Sequence, residues 1–143
     1  MRKVGIKSRR KARQLALEVA YRLDLLSEEV NSTCQDVLSR EECDNMCREF
    51  LTVIITSLEQ HIDKIDELIK DSLVNWDFDR LSYIERAIMR IAVAELLGAA
   101  DVPYKVTLSE AVELAKTYST PSAAAFINGI LDNIVEKLGI KKE

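Results

Sequence analysis

The chain contains few residues that interrupt helices. Only four glycines and two prolines occur among 143 residues, and no strand-like alternation of apolar and polar residues is present. Because glycine and proline mark turns and strand bends, their scarcity favours an all-α fold. The length favours one domain, residues 1–143, with helical halves of about 1–75 and 76–143.

Long apolar runs and a secretory leader are also missing. No stretch of 18 consecutive apolar residues occurs, so the sequence offers no candidate for a membrane-spanning helix. The N-terminal basic segment leads into an amphipathic segment with Glu18, Arg22 and Asp24, where a signal peptide would have an apolar core. We therefore expect a cytoplasmic protein with no membrane partner.

Residues suited to catalysis or metal binding are scarce. The single histidine, His61, has no credible catalytic partner, and no glycine-rich phosphate loop or HExxH motif occurs. Cys34, Cys43 and Cys47 lack the spacing of a zinc site, which needs about four ligands, so they are expected to be free thiols. We expect no enzymatic activity, no metal, no cofactor and no small-molecule substrate.

Charge is distributed unevenly along the chain. The first thirteen residues carry seven cations and no acid, whereas the rest carry 20 − 7 = 13 cations and 24 acids, a balance of −11. A dense cationic segment on an acidic protein suits docking of a polyanion through phosphate contacts. A solubilising N-terminal tail is the alternative. The cations are Arg2, Lys3, Lys7, Arg9, Arg10, Lys11 and Arg13.

Periodicity predicts a first helix from about Ser8 to Ser27. On one side Arg10, Leu17 and Tyr21 align with Arg13 beside them, which predicts an exposed aromatic group among arginines, suited to stacking on a base or a partner. Burial of Tyr21 by a neighbouring helix is the alternative. The opposite, buried stripe is predicted to contain Ala12, Leu15, Ala16, Val19, Leu23 and Leu26.

The rest of the first half is predicted to form three helices and a connector. Trp76 and Phe78, in the connector, are expected to fill the seam between the halves. The predicted elements are a short helix Thr33–Leu38, a third helix starting between Ser39 and Asp44 and ending near His61, a fourth helix Ile62–Leu73, and the connector Val74–Arg80.

The second half has clear helix boundaries. Capping patterns at Ser82-x-x-Glu85, Thr107-x-x-Glu110 and Thr120-Pro121 predict three helix starts. The first of these helices, Tyr83–Leu97, is apolar on most faces and is predicted to lie in the middle of the bundle.

Three residues in this half carry specific expectations. Glu95 is predicted to be buried, with a Lys or Tyr of the 101–106 segment as its partner. Gly98 is predicted to end the central helix as the C′ residue, and Gly129, inside the last helix, is predicted to mark a close helix–helix approach.

Four motifs appear in order from Trp76 to Asp132. With them, and with Arg9-Arg10-Lys11-Ala12-Arg13 and Tyr21 in the first helix, the chain resembles the NusB transcription antitermination family. The motifs read Trp76…Arg80-Leu81-Ser82-x-Ile84-Glu85-Arg86-Ala87-Ile88-x-Arg90-Ile91-Ala92-x-x-Glu95-Leu96-Leu97, Asp101-Val102-Pro103-Tyr104-Lys105-Val106, Glu110-Ala111-Val112-Glu113-Leu114-Ala115-Lys116-x-Tyr118, and Phe126-Ile127-Asn128-Gly129-Ile130-Leu131-Asp132.

This resemblance implies an all-α bundle of about seven helices in two packed halves. It also implies a non-enzymatic adaptor that, with the ribosomal protein NusE, binds boxA-type single-stranded nascent RNA within the transcription elongation complex and promotes antitermination of ribosomal RNA transcription. Tyr21 and Glu85 match positions associated with the NusE side. The residues that match RNA-binding positions are Arg9, Arg10, Lys11, Arg13 and Phe126.

One stretch departs from the family pattern. Ser119–Ala125 lacks the polar and basic residues that usually precede the Phe-x-Asn-Gly motif, which puts RNA contacts at this edge in doubt. Two other functions compete with the antitermination hypothesis. One is an accessory domain of a ribosomal RNA cytosine methyltransferase, which requires that a cofactor-binding domain follow Glu143 in a longer protein. The other is a helical protein-interaction scaffold without RNA binding.

Overall fold

The computed structural model describes the backbone of residues 2–140 and the side chains of residues 5–140. Every regular element in this part of the chain is helical, which confirms the all-α prediction. The side chains of Arg2 and Lys3, part of the predicted cationic cluster, lie outside the described residues. The helices are α1 (Arg2–Leu26), α2 (Val30–Arg40), α3 (Asn45–Ser72), α4 (Tyr83–Gly98), α5 (Tyr104–Tyr118) and α6 (Pro121–Lys137), with a 3₁₀ turn at Phe78–Arg80.

The helix count is six within residues 2–140, one fewer than expected, because the predicted third and fourth helices follow each other without a loop as two parts of α3. The predicted boundary between these two helices corresponds to a kink at His61. The backbone angles of His61 are not helical (φ −120°, ψ 20°), and the helix continues after it. Asp44 caps the start of α3 by accepting a hydrogen bond from the amide of Cys47 at 2.9 Å.

The cationic segment is part of α1, which begins earlier than predicted. For the described residues, the alternative of an unstructured tail is therefore wrong. Ala12, Leu15, Ala16 and Val19 are buried as expected, whereas Leu26, at the end of α1, is 56% exposed. The helix thus packs its middle part on the core, whereas its C-terminal end reaches solvent at Leu26.

Helix α4 lies in the middle of the bundle, as its composition predicted. It packs against α1, α3, α5 and α6, and its side chains from Arg86 to Ala94 are nearly all buried. One hydrophobic core joins residues of all six helices around it. A helix with several neighbours has little solvent-facing surface, which explains why its sequence lacks a polar face.

Two of the three predicted caps in the second half are confirmed. The Ser82 hydroxyl accepts a hydrogen bond from the Glu85 amide at 3.1 Å, and the Thr120 hydroxyl accepts one from the Ala123 amide at 3.0 Å. The predicted cap at Thr107 is wrong, since α5 starts at Tyr104 and Thr107 is buried within it. The hydroxyl of Thr107 bonds a side chain of α4 instead, as described below.

The connector after α3 contains the predicted aromatic pair, but only one member is packed as expected. Phe78 is half-buried, and the guanidinium of Arg86 lies 5.3 Å from its ring centroid. Trp76 is 54% exposed and rests against Phe126, with 6.2 Å between the ring centroids. The prediction that Trp76 fills the seam is therefore wrong.

Gly98 and Gly129 have roles that differ from those predicted. Gly98 is the last residue of α4, and a Cβ atom there would lie 2.8 Å from Cβ of Ser57 on α3. Gly98 therefore permits a close approach of α3 and α4. Gly129 has no atom within 4 Å of the corresponding position, so no close helix–helix contact requires it.

The cysteines also differ from expectation. Cys43 and Cys47 form a disulfide, with their Cα atoms 5.3 Å apart, because the turn before α3 brings the two side chains together. Cys34 is free and half-buried, and burial raises the pKa of its thiol. Within residues 2–140, no group of three His, Cys, Asp or Glu is placed to hold a metal, and no helix is long and apolar enough to cross a bilayer.

The glycine contacts predict opposite effects of the same substitution. Gly98→Ala should lower the free energy of unfolding by about 1–3 kcal/mol, because the added methyl group overpacks the α3–α4 contact. Gly129→Ala should raise it by about 0.5–1 kcal/mol through helix propensity alone. Urea denaturation of both variants measures these changes, and a Gly98→Ala protein as stable as the wild type would refute the close-approach role.

Candidate nucleic-acid interface

The N-terminal part of α1 presents four cationic side chains at or near the surface. We call Lys7, Arg9, Arg10 and Lys11 the basic face. Lys7 and Arg10 are exposed, and Arg9 and Lys11 are half-exposed. The guanidinium of Arg9 also lies 4.9 Å from the ring centroid of Phe50 on α3, which limits its freedom. The basic face offers cationic donors of the kind that contact phosphate groups.

Arg13 does not belong to this surface. It is only 5% exposed, and its Nε and Nη2 atoms donate to the two carboxylate oxygens of Glu95 at 2.8 and 2.7 Å. The expectation that Arg13 is exposed beside Arg10 is therefore wrong, because α4 and α5 cover α1 at Arg13 with the side chains of Glu95 and Glu110. Leu17, also expected on the exposed side, is buried as well.

Glu95 is buried, as predicted, but its partners differ from those expected. It is 2% exposed and accepts hydrogen bonds from Arg13 and from the hydroxyl of Thr107, the latter at 2.7 Å. Neither a Lys nor a Tyr of the 101–106 segment is involved. Three donors compensate the carboxylate for its lost hydration, so α1, α4 and α5 are joined by one buried polar cluster.

The cations of the basic face have intramolecular partners of their own. Arg10 donates from Nε and Nη2 to Glu110 at 3.2 and 2.9 Å, and this bidentate bond raises the pKa of Arg10 above its usual value. Arg9 donates to Asp101 at 3.2 Å. Lys11 lies 2.7 Å from Glu41 and lowers the pKa of that carboxyl. The surface is therefore far less positive than the sequence alone indicates.

Phe126 is half-buried near the start of α6, where it contacts the exposed ring of Trp76. The exposure of Trp76 could not be predicted from the sequence, because an isolated tryptophan between two helices is typical of a core residue. None of the described contacts joins this aromatic pair to the basic face.

The unusual alanine stretch has a packing explanation. Ala123 and Ala124 are buried against the core, and only Ala125 is exposed. A longer polar side chain at either of the first two positions would have to displace core atoms. The departure from the family pattern thus changes the surface at Ala125 and at the preceding serines and threonine.

Tyr21 and Glu85 lie close to one junction between helices. Tyr21 is half-buried and packs on the core, so its full exposure, predicted with Leu17, is wrong. Glu85 is half-exposed in the first turn of α4. Arg86, which follows Glu85, donates to Asp24, three residues after Tyr21, at 2.8 Å. The end of α1 and the start of α4 therefore form a shared surface.

Comparisons with known proteins agree on one family. A sequence model of the NusB family matches residues 10–136. The transcription antitermination protein NusB of Bacillus subtilis is 37% identical over 126 residues, covering 88% of this chain and 93% of that protein. The NusB of Chloroherpeton thalassium is 39% identical over 137 residues, covering 93% of this chain and 65% of that longer protein.

The fold comparison gives the same result. A crystal structure of the antitermination factors NusB and NusE in complex with double-stranded RNA contains a chain that is 30% identical to this one, with a TM-score of 0.84. The superposition covers 92% of this chain and 98% of that chain.

The buried cluster predicts that alanine substitution of Arg13 destabilises the protein far more than alanine substitution of Arg10 on the same helix. Arg13→Ala should lower the free energy of unfolding by about 3–5 kcal/mol, because it leaves the Glu95 carboxylate buried without a cation. Arg10→Ala, the matched control, removes an exposed ion pair and should cost at most about 1 kcal/mol. Chemical denaturation measures both.

A double substitution checks the cause. Arg13→Met combined with Glu95→Leu removes both charges and should recover at least about 2 kcal/mol of the loss. Equal costs for Arg13→Ala and Arg10→Ala would show that the buried pair does not hold the helices together.

Proposed function

The chain belongs to the NusB family, and we propose that it is a transcription antitermination factor that acts with NusE on boxA-type RNA. In this function the protein is a non-enzymatic adaptor that promotes antitermination of ribosomal RNA transcription in the elongation complex. The observation that carries the proposal is the close match to a NusB chain solved with NusE and RNA, over 92% of this chain. Because the partners named here are RNA and transcription proteins, we place the protein in the cytoplasm.

We propose that RNA binds the basic face through Arg9, Arg10 and Lys11, with Phe126 as a further contact. The exposure of these cations and their position on one helical segment support this assignment. Arg13 has almost no accessible surface, so its proposed role is to hold α1 in place rather than to contact RNA. Phosphate contacts of this kind fix position on RNA and carry little sequence information.

For NusE, we propose the surface formed by the end of α1 and the start of α4. Glu85 places a half-exposed carboxylate there, which suits a basic protein partner. The only hydrogen bond described for its carboxylate is a long one of 3.5 Å from the Ser119 hydroxyl. A weakly held carboxylate can reorient toward a partner at little cost.

The salt dependence of RNA affinity should show which cations contact RNA phosphates. Arg9→Ala and Arg10→Ala should each flatten the log–log salt dependence of single-stranded RNA binding by about 0.7, the contribution of one phosphate contact. Lys64→Ala, an exposed cation about 21 Å along α3 from Phe50, is the control and should leave the slope unchanged. Fluorescence anisotropy across a salt series gives the slopes, and unchanged slopes for both arginine variants would place the RNA elsewhere.

Charge reversal at the NusE surface should separate binding from folding. Glu85→Lys should weaken NusE binding by at least about 2 kcal/mol if the residue faces a complementary charge. Its cost to folding should be about 0.5–1 kcal/mol, because a cation in the first turn opposes the helix dipole. Calorimetry with NusE and a thermal melt measure the two effects. Glu113→Lys, on the exposed side of α5, is the matched control, and equal losses of NusE binding in both variants would contradict the assignment.

A further inference from the structure

The basic face is balanced by carboxylates from distant parts of the chain. Arg9 is paired with Asp101, which lies between α4 and α5, and Arg10 is paired with Glu110 of α5. Any phosphate that approaches these arginines meets a carboxylate already bound to them. The positive charge that a phosphate can reach therefore depends on whether each carboxylate stays bound to its arginine when the phosphate approaches.

The two carboxylates are held very differently. The side chain of Asp101 is 72% exposed and makes a single contact of 3.2 Å with Arg9. The side chain of Glu110 is 13% exposed, binds Arg10 through both oxygens, and has Nη1 of the buried Arg13 at 3.7 Å. Asp101 can swing into solvent, whereas Glu110 is fixed by its surroundings.

The geometry also determines which donors stay free. A guanidinium has five N–H groups, and Glu110 engages only the Nε and Nη2 side of Arg10. The bidentate bond to Glu110 fixes the orientation of the remaining N–H donors of Arg10. The Arg10 side chain is 55% exposed, so these donors can bind an anion. Arg9 has no bidentate bond to a carboxylate among the contacts described. Asp101 contacts it at one atom only, so a phosphate can displace Asp101 from Arg9.

We propose that Asp101 and Glu110 tune RNA binding in opposite directions: Asp101 competes with RNA phosphate for Arg9, and Glu110 is a positioning residue that orients Arg10 toward phosphate. This inference rests on the proposed function, and it adds two acidic residues to a site otherwise defined by its cations. Simple electrostatics predicts instead that removing either negative charge strengthens RNA binding equally.

Three variants with the same change in net charge test the proposal. Asp101→Asn, Glu110→Gln and the control Glu67→Gln each remove one negative charge, and Glu67 is exposed on the part of α3 that follows the His61 kink. We expect Asp101→Asn to bind boxA RNA, in complex with NusE, about two- to fivefold more tightly than the control. We expect Glu110→Gln to bind about two- to fivefold more weakly than the control.

Double-mutant cycles show whether the named arginines carry these effects. The gain from Asp101→Asn should vanish in an Arg9→Ala background, and the loss from Glu110→Gln should vanish in an Arg10→Ala background. A purely structural effect of Glu110→Gln would persist without Arg10. If Glu110→Gln folds poorly, Arg10→Lys, which keeps the charge but loses the bidentate bond, should show the same weakening.

The possible failures are distinguishable. If the wild-type complex binds boxA RNA and all three acidic variants change affinity equally, the opposite roles of Asp101 and Glu110 are refuted and the proposed function stands. If the effects persist in the alanine backgrounds, the assignment to Arg9 and Arg10 is refuted. If the wild-type complex does not bind RNA, both the inference and the proposed function fail.

Discussion

The ion pair between Arg13 and Glu95 is the interaction on which the arrangement of the basic face depends. It joins α1 to α4 across 82 residues of sequence, and Thr107 adds α5 through the same carboxylate. An unpaired charge in this position would cost several kcal/mol, so the helices must adopt the register that satisfies it. That register carries Arg9 and Arg10 to the surface and places Asp101 and Glu110 beside them.

The local part of this structure could be predicted from the sequence. Apolar periodicity indicates the helices, Ser82 and Thr120 are recognisable caps, and the composition of α4 indicates its central position. Such features depend on residues a few positions apart. Continuity across the His61 kink was not predictable, because the change in periodicity there resembles a helix boundary. The roles of Gly98 and Gly129 depend on which helix packs opposite, and no local pattern encodes that.

The site was predicted less well, because its ion pairs join residues that are far apart in the sequence. Arg13 belongs to a cluster of cations in sequence, yet its neighbours in space are Glu95 and Glu110. The partners of Arg9 and Arg10 lie 92 and 100 residues away, and the sequence holds no signal for such pairs. Composition alone therefore overestimates the free positive charge. The function was indicated by motifs shared with the NusB family, whereas the availability of each cation required the three-dimensional arrangement.

We propose that this protein and NusE together form a binding surface for boxA RNA. A titration of labelled boxA RNA, and of a scrambled RNA of the same composition, with the protein alone and with an equimolar mixture with NusE measures this directly. NusE should tighten binding of boxA RNA by at least about tenfold, or about 1.4 kcal/mol, and should tighten binding of the scrambled RNA much less. Equal affinity for both RNAs, unchanged by NusE, would show that no such joint surface forms.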